Sequence, residues 1–266
     1  MITRRPFLLL GSALVAAALH TASLNAQVDQ RALAQQLLRG GIGERSRALE
    51  TARAIQPRNI GPELRAALIS TLEREGQLHA RRDEADRRGE AVEPLEDPEF
   101  IFRVSSVVAE LRDPLAIPAL TGALGTGSGS PVTKALVAFG EQAVPALVEP
   151  VGSPRASPYV VDGALIVLRF LVEGAGPQPL SASSLNNIRR GAKSRLTGKQ
   201  YFTTLWWAID LAVALDDAEL RRIVGSLASD PDEVVARGID DPELIEETQR
   251  LAAERLAGVP PKPRWH

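Results

Sequence analysis

The sequence predicts an all-α protein whose helices pair and stack into an α-α superhelix. Three observations lead to this fold class. A motif that begins at Ile117 recurs at Val144, apolar residues around it recur at i, i+3, i+4 and i+7, and no segment shows the sustained alternation of a strand. A helix with one apolar stripe must bury it against a neighbour, and stacked helix pairs achieve this with a short repeat.

The repeat is clearest in two copies of a second-helix motif. Ile117-Pro118-Ala119-Leu120 matches Val144-Pro145-Ala146-Leu147 position by position. Each predicted repeat unit is a pair of helices. The segment that forms the first helix of the pair also repeats, at nearly the same interval, and it occurs a third time. In this third unit the motif of the second helix is no longer recognisable. The matched positions are Val104, Val107, Val108 and Leu111, then Val132, Ala135, Leu136 and Phe139, then Val160, Gly163, Ala164 and Val167.

These units resemble HEAT-like repeats, especially the short bacterial kind that is also found in phycobilisome lyases. The second helix carries the resemblance through the pattern Asp-Pro-x-x-Ile/Val-Pro-Ala-Leu, and the match covers residues 97–173. The resemblance implies an α-solenoid. Because some relatives act as bilin lyases or as lyase partners, it also implies a possible link to that chemistry.

The leader pattern, the repeat, the charged stretch and the C-terminal prolines divide the chain into five predicted parts. These are a signal peptide at 1–26, a helix pair with a charged insertion at 27–96, the repeats at 97–173, a helical continuation or cap at 174–258 and a proline-rich tail at 259–266.

Four Asp-Pro pairs predict helix starts, because aspartate is a good N-cap acceptor and proline suits the first helical turn. They lie at 97–98, 113–114, 230–231 and 241–242. The charged segment at 76–96 is either a solvated helix extension or an insertion, and its His79 is expected to be solvated.

The segment at 1–26 is typical of an export signal. Arg4 and Arg5 precede an apolar run from Phe7 to Leu19, and the expected cleavage lies between Ala26 and Gln27. The start resembles a twin-arginine signal, although general secretory leaders also begin with paired arginines. We therefore expect a periplasmic or secreted protein, exported by either route, with no membrane span in the mature chain.

Composition excludes several kinds of chemistry. The chain of 266 residues has no cysteine and three histidines, so disulfides, thiolate metal sites and a cysteine nucleophile are absent. Its formal net charge is −2, which gives no general field for a polyanion, and no nucleic acid partner is expected. No catalytic, cofactor-binding or metal-ligating residues are indicated.

The concentrated basic segment and the aromatic segment after it are the candidate partner-binding residues. The basic segment either receives an acidic partner or pairs internally with the acidic helices beyond Asp216. The aromatic residues either line a ligand groove or belong to the central, fully packed helix predicted over 201–215. The candidates are Arg189, Arg190, Lys193, Arg195, Lys199, Tyr201, Trp206 and Trp207.

Asp210 is the single charge of that apolar helix. It is either an acid with a raised pKa or a carboxylate paired with an arginine at 189, 190 or 195, and the paired interpretation is favoured.

Together these features favour an exported, non-catalytic scaffold that binds a protein partner along a helical stack. Two alternatives remain open at this point. One is a lyase-like enzyme or enzyme subunit that uses Asp210 and the basic segment. The other is a binder of an anionic glycan or lipid surface through residues 189–199. The sequence indicates neither the partner nor the oligomeric state.

Overall fold

The computed structural model describes residues 30–126 and 129–260. The candidate export residues Arg4, Arg5, Ala26 and Gln27 lie outside the described residues, and so does most of the proline-rich tail. The described chain is all-α, without strands, which confirms the predicted fold class at that level. None of the described helices is both long and apolar enough to cross a membrane.

The chain divides into two compact units, Met1–Thr71 and Leu72–His266. The first unit contains α1 (30–39), α2 (Ile42–Arg53) and the start of α3 (Pro62–Arg87). Its core consists of fully buried leucines on one face of each helix, namely Leu37, Leu49, Leu64 and Leu68. The side chain of Gln30 holds the turn before α3, because it donates to the carbonyl of Asn59 and accepts from the amide of Gly61.

The second unit contains the rest of α3 and ten further helices along its described residues. They are α4 (Phe100–Leu111), α5 (Ile117–Ala123), α6 (Gly129–Phe139), α7 (Val144–Gly152), α8 (Pro158–Val172), α9 (Ala182–Thr197), α10 (Phe202–Ala214), α11 (Ala218–Ser229), α12 (Pro231–Val235) and α13 (Pro242–Leu256).

These helices form two layers. In the first layer α4 packs against α6, α6 against α8, and α8 against α10. In the second layer α5 packs against α7, α7 against α9, and α9 against α11. The last helix, α13, packs against α10, α11 and α12. The stacking therefore continues beyond Gly174, through helices whose sequences do not show the repeat motif.

The two motif copies adopt the same local structure. A short 3-10 helix precedes each second helix, at Pro114–Ala116 and at Gly140–Ala143. The leucine that ends each motif, Leu120 or Leu147, is fully buried. On α8, the first helix of the third repeat unit, Gly163 allows close packing against Leu124, because a Cβ atom at this position would lie 2.8 Å from the Cβ of Leu124.

Three of the four Asp-Pro pairs start helical segments as predicted. Asp113, Asp230 and Asp241 each accept backbone amide hydrogen bonds through their side chains. The fourth pair, at 97–98, lies just before α4, which begins at Phe100, and the Asp97 carboxylate pairs with Arg103 at 2.6 Å.

The charged segment splits into two parts. Residues 76–87 extend α3, and residues 90–95 have no regular structure. The prediction of a solvated His79 was wrong, because its imidazole is partly buried and this burial lowers its pKa.

Candidate functional site

A pocket of about 780 Å³ opens in the second unit where several helices begin or end, and we call it the helix-end pocket. Its volume falls within the range of about 300–1,000 Å³ that ligand sites occupy. Three connecting segments supply most of its walls, those at 154–158, 199–202 and 238–241, together with Arg87 at the end of α3.

One backbone and one side-chain hydrogen bond hold two of these segments together. The amide of Gln200 donates to the carbonyl of Arg237 at 2.8 Å, and the Arg237 guanidinium donates to the carbonyl of Leu196 at 2.9 Å. The next residue, Gly238, has a φ of +87°, a left-handed conformation that favours glycine. The turn into α13 is therefore fixed beside the turn into α10.

Arg195 builds the third wall by holding the end of α7. Its Nε donates to the carbonyl of Val151 at 2.7 Å, and its Nη2 donates to the carbonyls of Pro150 and Ser153 at 3.0 and 2.7 Å. Its Nη1 donates to the side-chain oxygen of Gln200 at 3.0 Å. One guanidinium thus satisfies helix-end carbonyls and anchors the neighbouring segment.

Asp162 lies on α8 close to this wall. Burial raises the pKa of its carboxyl group, and the hydrogen bonds from Thr204 and Thr203, with the nearby charge of Arg195, oppose that rise. Thr204 itself lines the pocket. Burial likewise lowers the pKa of Arg195, against the attraction of Asp162.

The raised pKa of Asp162 predicts a pH-dependent contribution to stability. Because the folded state binds the proton more tightly than the unfolded state, this contribution is fully present below pH 3.8 and is lost as pH rises through the folded pKa. We expect Asp162→Asn, which keeps an acceptor for Thr204, to gain stability relative to the wild type as pH rises from about 3.5 to 7. Urea unfolding across that range measures the difference, and a difference that does not change with pH would contradict it.

The pocket combines an apolar lining with charged groups at its rim. The apolar part includes Val161, Phe202, Ile239 and Leu244. Three basic residues, Arg87, Arg195 and Lys199, line it against two acidic ones, Asp240 and Asp241.

Of these acidic groups, Asp241 is engaged internally, because its carboxylate accepts from the amides of Glu243 and Leu244 at the start of α13. Side chains do not cap the other two helix starts at the pocket, since neither Ser157 before α8 nor Tyr201 before α10 accepts a capping hydrogen bond.

The predicted basic segment lies on α9 and is largely engaged within the second unit. Arg189 pairs with Asp217 at 3.5 Å, and Lys193 pairs with Glu219 at 2.8 Å. These contacts are the internal pairing with the acidic region beyond Asp216 that the sequence offers as an alternative. Arg190 is exposed and donates to the side chain of Asn187. Within the segment, Arg195 and Lys199 are the residues that reach the helix-end pocket.

The structure does not bring the three candidate aromatic residues together in a groove. Tyr201 is 54% exposed and lines the pocket, whereas Trp206 is 9% exposed and lies in the core. The Nε1 of Trp206 donates to Thr248 at 2.8 Å, and its ring meets Phe202 edge to face. Trp207 is partly buried. The central packed position predicted for this helix is confirmed, because α10 contacts α8, α9, α11 and α13.

This arrangement predicts different outcomes for two aromatic substitutions. Trp206→Phe removes the hydrogen bond to Thr248 and part of a buried ring, and we expect a loss of about 1–3 kcal/mol in the free energy of unfolding. Tyr201→Phe, at an exposed position, should change it by less than about 0.5 kcal/mol. Chemical denaturation of both variants checks this, and equal losses would contradict the assigned positions.

Asp210 is paired, although the predicted partners were wrong. Its carboxylate meets the Nε of Arg255 at 2.6 Å and lies 3.8 Å from Arg169, and not beside an arginine at 189, 190 or 195. The carboxylate is nearly inaccessible to solvent, since the residue is 7% exposed. Asp210 therefore links α8, α10 and α13 and is not part of the helix-end pocket.

Reasoning from the sequence missed the pocket residues Arg87 and Asp240, and also Asp162, which lies beside the wall formed by Arg195. A signal was present in the glycine- and proline-containing segments at 152–158 and 238–242, each of which precedes a helix. Such segments show where loops occur, but they do not show that two loops so far apart in the chain share one cavity.

Comparison with known proteins identifies no relative of this chain. No family model, curated protein or solved structure matches this chain. Within the described residues, no group of three or more histidine, aspartate or glutamate side chains is placed to hold a metal ion. The helix-end pocket is thus the candidate site, on geometry and charge alone.

Proposed function

We propose that this chain is an exported protein-protein interaction scaffold built on HEAT-like repeats. The observation that carries the proposal is the two-layer stack, in which each helix pair packs against the next from α4 to α11. Stacked pairs produce long surfaces that suit the binding of proteins, and they need no catalytic centre.

The repeat supports membership of the HEAT-like class. The two motif copies share sequence, a preceding 3-10 helix and a buried leucine at the same position. The packing of α9 on α7 and of α10 on α8 extends the pattern beyond residues 97–173. In this proposal, residues 174–258 continue the solenoid.

The contacts of Asp210 and of the basic segment favour this function over the two alternatives. A lyase-like reaction through Asp210 would need a carboxylate that can be reached, and this one is buried against Arg255. Binding of an anionic surface through residues 189–199 would need free cations, and Arg189 and Lys193 already face acidic partners.

Export is part of the proposal, and the leader supports it. Its test is fractionation of cells that make the full chain, with N-terminal sequencing of the product. The expected product lies in the envelope or the medium and begins at Gln27. An unprocessed chain that stays in the cytoplasmic fraction would overturn this part.

Partner binding is tested by capture from envelope extract after chemical crosslinking. The expected result is a protein recovered reproducibly with the folded chain and not with a heat-unfolded control. The proposal fails if the folded chain recovers nothing beyond the control.

A further inference from the structure

Hydrogen bonds within the protein hold the walls of the helix-end pocket. Arg195 fixes one wall through carbonyls of the α7 end, and the hydrogen bond from Gln200 to Arg237 fixes the other. When the walls of a pocket are already held in place, ligand binding orders few additional protein groups and so costs little conformational entropy. Its walls therefore suit binding more than they suit a closing motion.

Apolar side chains are exposed at this pocket. Tyr201 and Val235, two of the few large apolar residues exposed among the described ones, both line it. The buried Ile239 lines it as well. Exposed apolar groups beside a concave surface mark a binding site, because burial of a further apolar group against them is favourable.

The charge of the pocket favours an acidic group on the ligand. Lys199 lines the pocket and has no carboxylate within ion-pair distance among the described residues. Arg87 also lines it, and its Nε donates to the carbonyl of Asp83. Burial raises the pKa of the Asp83 carboxyl group, and the charge of Arg87 opposes that rise. Arg195 adds a third positive charge, held by the carbonyls of the α7 end and close to Asp162.

Asp241 caps α13 and keeps its negative charge, as does Asp240, so the lining carries three basic residues against two acidic ones. The uncapped starts of α8 and α10 add partial positive charge.

The small excess of basic residues and the exposed apolar side chains together favour an occupant that carries an acidic group close to an apolar one. A sulfated or uronic glycan supplies acidic groups without apolar side chains, and a bilayer surface is too flat to enter a concave cavity. A polypeptide segment supplies both groups on neighbouring residues.

We propose that the helix-end pocket binds a short segment of a partner polypeptide in which an acidic residue lies beside an apolar one. The acidic side chain pairs with Lys199 and Arg87, and the apolar side chain packs against Tyr201, Val235 and Ile239. This inference rests on the proposed scaffold function and names the chemistry of its partner.

The test is selection from a random octapeptide display library on the purified protein after leader removal. The expected sequences place aspartate or glutamate next to a large apolar residue. A synthetic copy of an enriched peptide, labelled for fluorescence anisotropy, should bind about tenfold more weakly to a Lys199→Glu/Arg87→Glu variant. Enriched sequences that are basic, or that show no charge preference, would overturn the inference, as would a selection with no enrichment.

A matched control separates the pocket from the basic face of α9 and α11. Arg190→Glu/Arg222→Glu makes the same change in net charge at exposed positions outside the pocket. We expect this control to keep the peptide affinity within about twofold of the wild type. Equal loss in both variants would indicate binding through overall charge and would contradict a specific pocket. Circular dichroism of both variants confirms that each is folded.

The outcomes also distinguish this inference from the scaffold proposal. If the pocket variant still captures the envelope partner, then the pocket assignment fails and the scaffold proposal stands. If even the wild type captures no partner, then the scaffold proposal fails.

Discussion

Asp210→Ala is expected to lower the free energy of unfolding by about 3–5 kcal/mol, because it removes the nearest partner of a buried cation. Arg255 is 5% exposed, and its Nε lies 2.6 Å from the Asp210 carboxylate. Without that carboxylate, the guanidinium keeps its hydrogen bond to the carbonyl of Val259 and the more distant Glu254 at 3.9 Å, but loses its nearest, buried charge partner. Urea denaturation at neutral pH measures the loss.

A paired substitution shows whether the ion pair itself is the cause. Asp210→Leu/Arg255→Met replaces both charges with apolar side chains and should recover most of the stability that Asp210→Ala loses. Glu246→Ala, at an exposed position on α13, serves as the control and should unfold like the wild type. If Asp210→Ala behaves like this control, the buried pair is not what fixes α13 on α10.

The second large effect is expected at the two equivalent leucines of the repeat. Leu120→Ala and Leu147→Ala should each lower the free energy of unfolding by about 2–5 kcal/mol, since each removes a fully buried side chain and leaves a cavity. Because the two leucines occupy the same position in successive helix pairs, the two losses should be similar. Thermal and chemical denaturation of the single variants provide the measurement.

An exposed leucine in the same repeat gives the control. Leu115 lies in the 3-10 helix before α5 and is 78% exposed, so Leu115→Ala should cost less than about 0.5 kcal/mol. A large loss at Leu115, or a negligible loss at one of the two motif leucines, would contradict the equivalence of the two helix pairs.

The helices of the repeats were predictable because their determinants are local. The i, i+3, i+4, i+7 pattern and the Ile/Val-Pro-Ala-Leu motif act within one or two turns, and so do the caps formed by Asp113 and Asp241. The central position of α10 was predictable as well, since a helix that is apolar on all sides has to be surrounded.

Contacts between distant helices were not predictable in the same way. The composition of α10 shows that Asp210 needs a cation, but its partner Arg255 lies far along the chain, on α13. Arginines occur on several helices, and only the packing of the helices determines which arginine contacts Asp210. The prediction therefore named the right kind of contact and the wrong residues.

The candidate site depends even more on packing. Lys199 and Tyr201 were predicted as binding residues from a basic and an aromatic run, and both line the pocket. Several neighbours in the run do not, because a helix directs successive side chains to different faces and Arg189 and Trp206 point elsewhere. Arg87 joins the pocket from another helix, with no local signal for it.

Photo-crosslinking in the native envelope tests the central claim most directly. A photoreactive residue is placed at Arg190 or Arg222 on the second helix layer, or at Lys199 in the pocket, and at Glu246 on α13 for comparison. The account predicts that the same partner protein is crosslinked from the layer or pocket positions and is identified by mass spectrometry. If no protein is crosslinked from Arg190, Arg222 or Lys199, in cells where the chain is exported and folded, the account is contradicted.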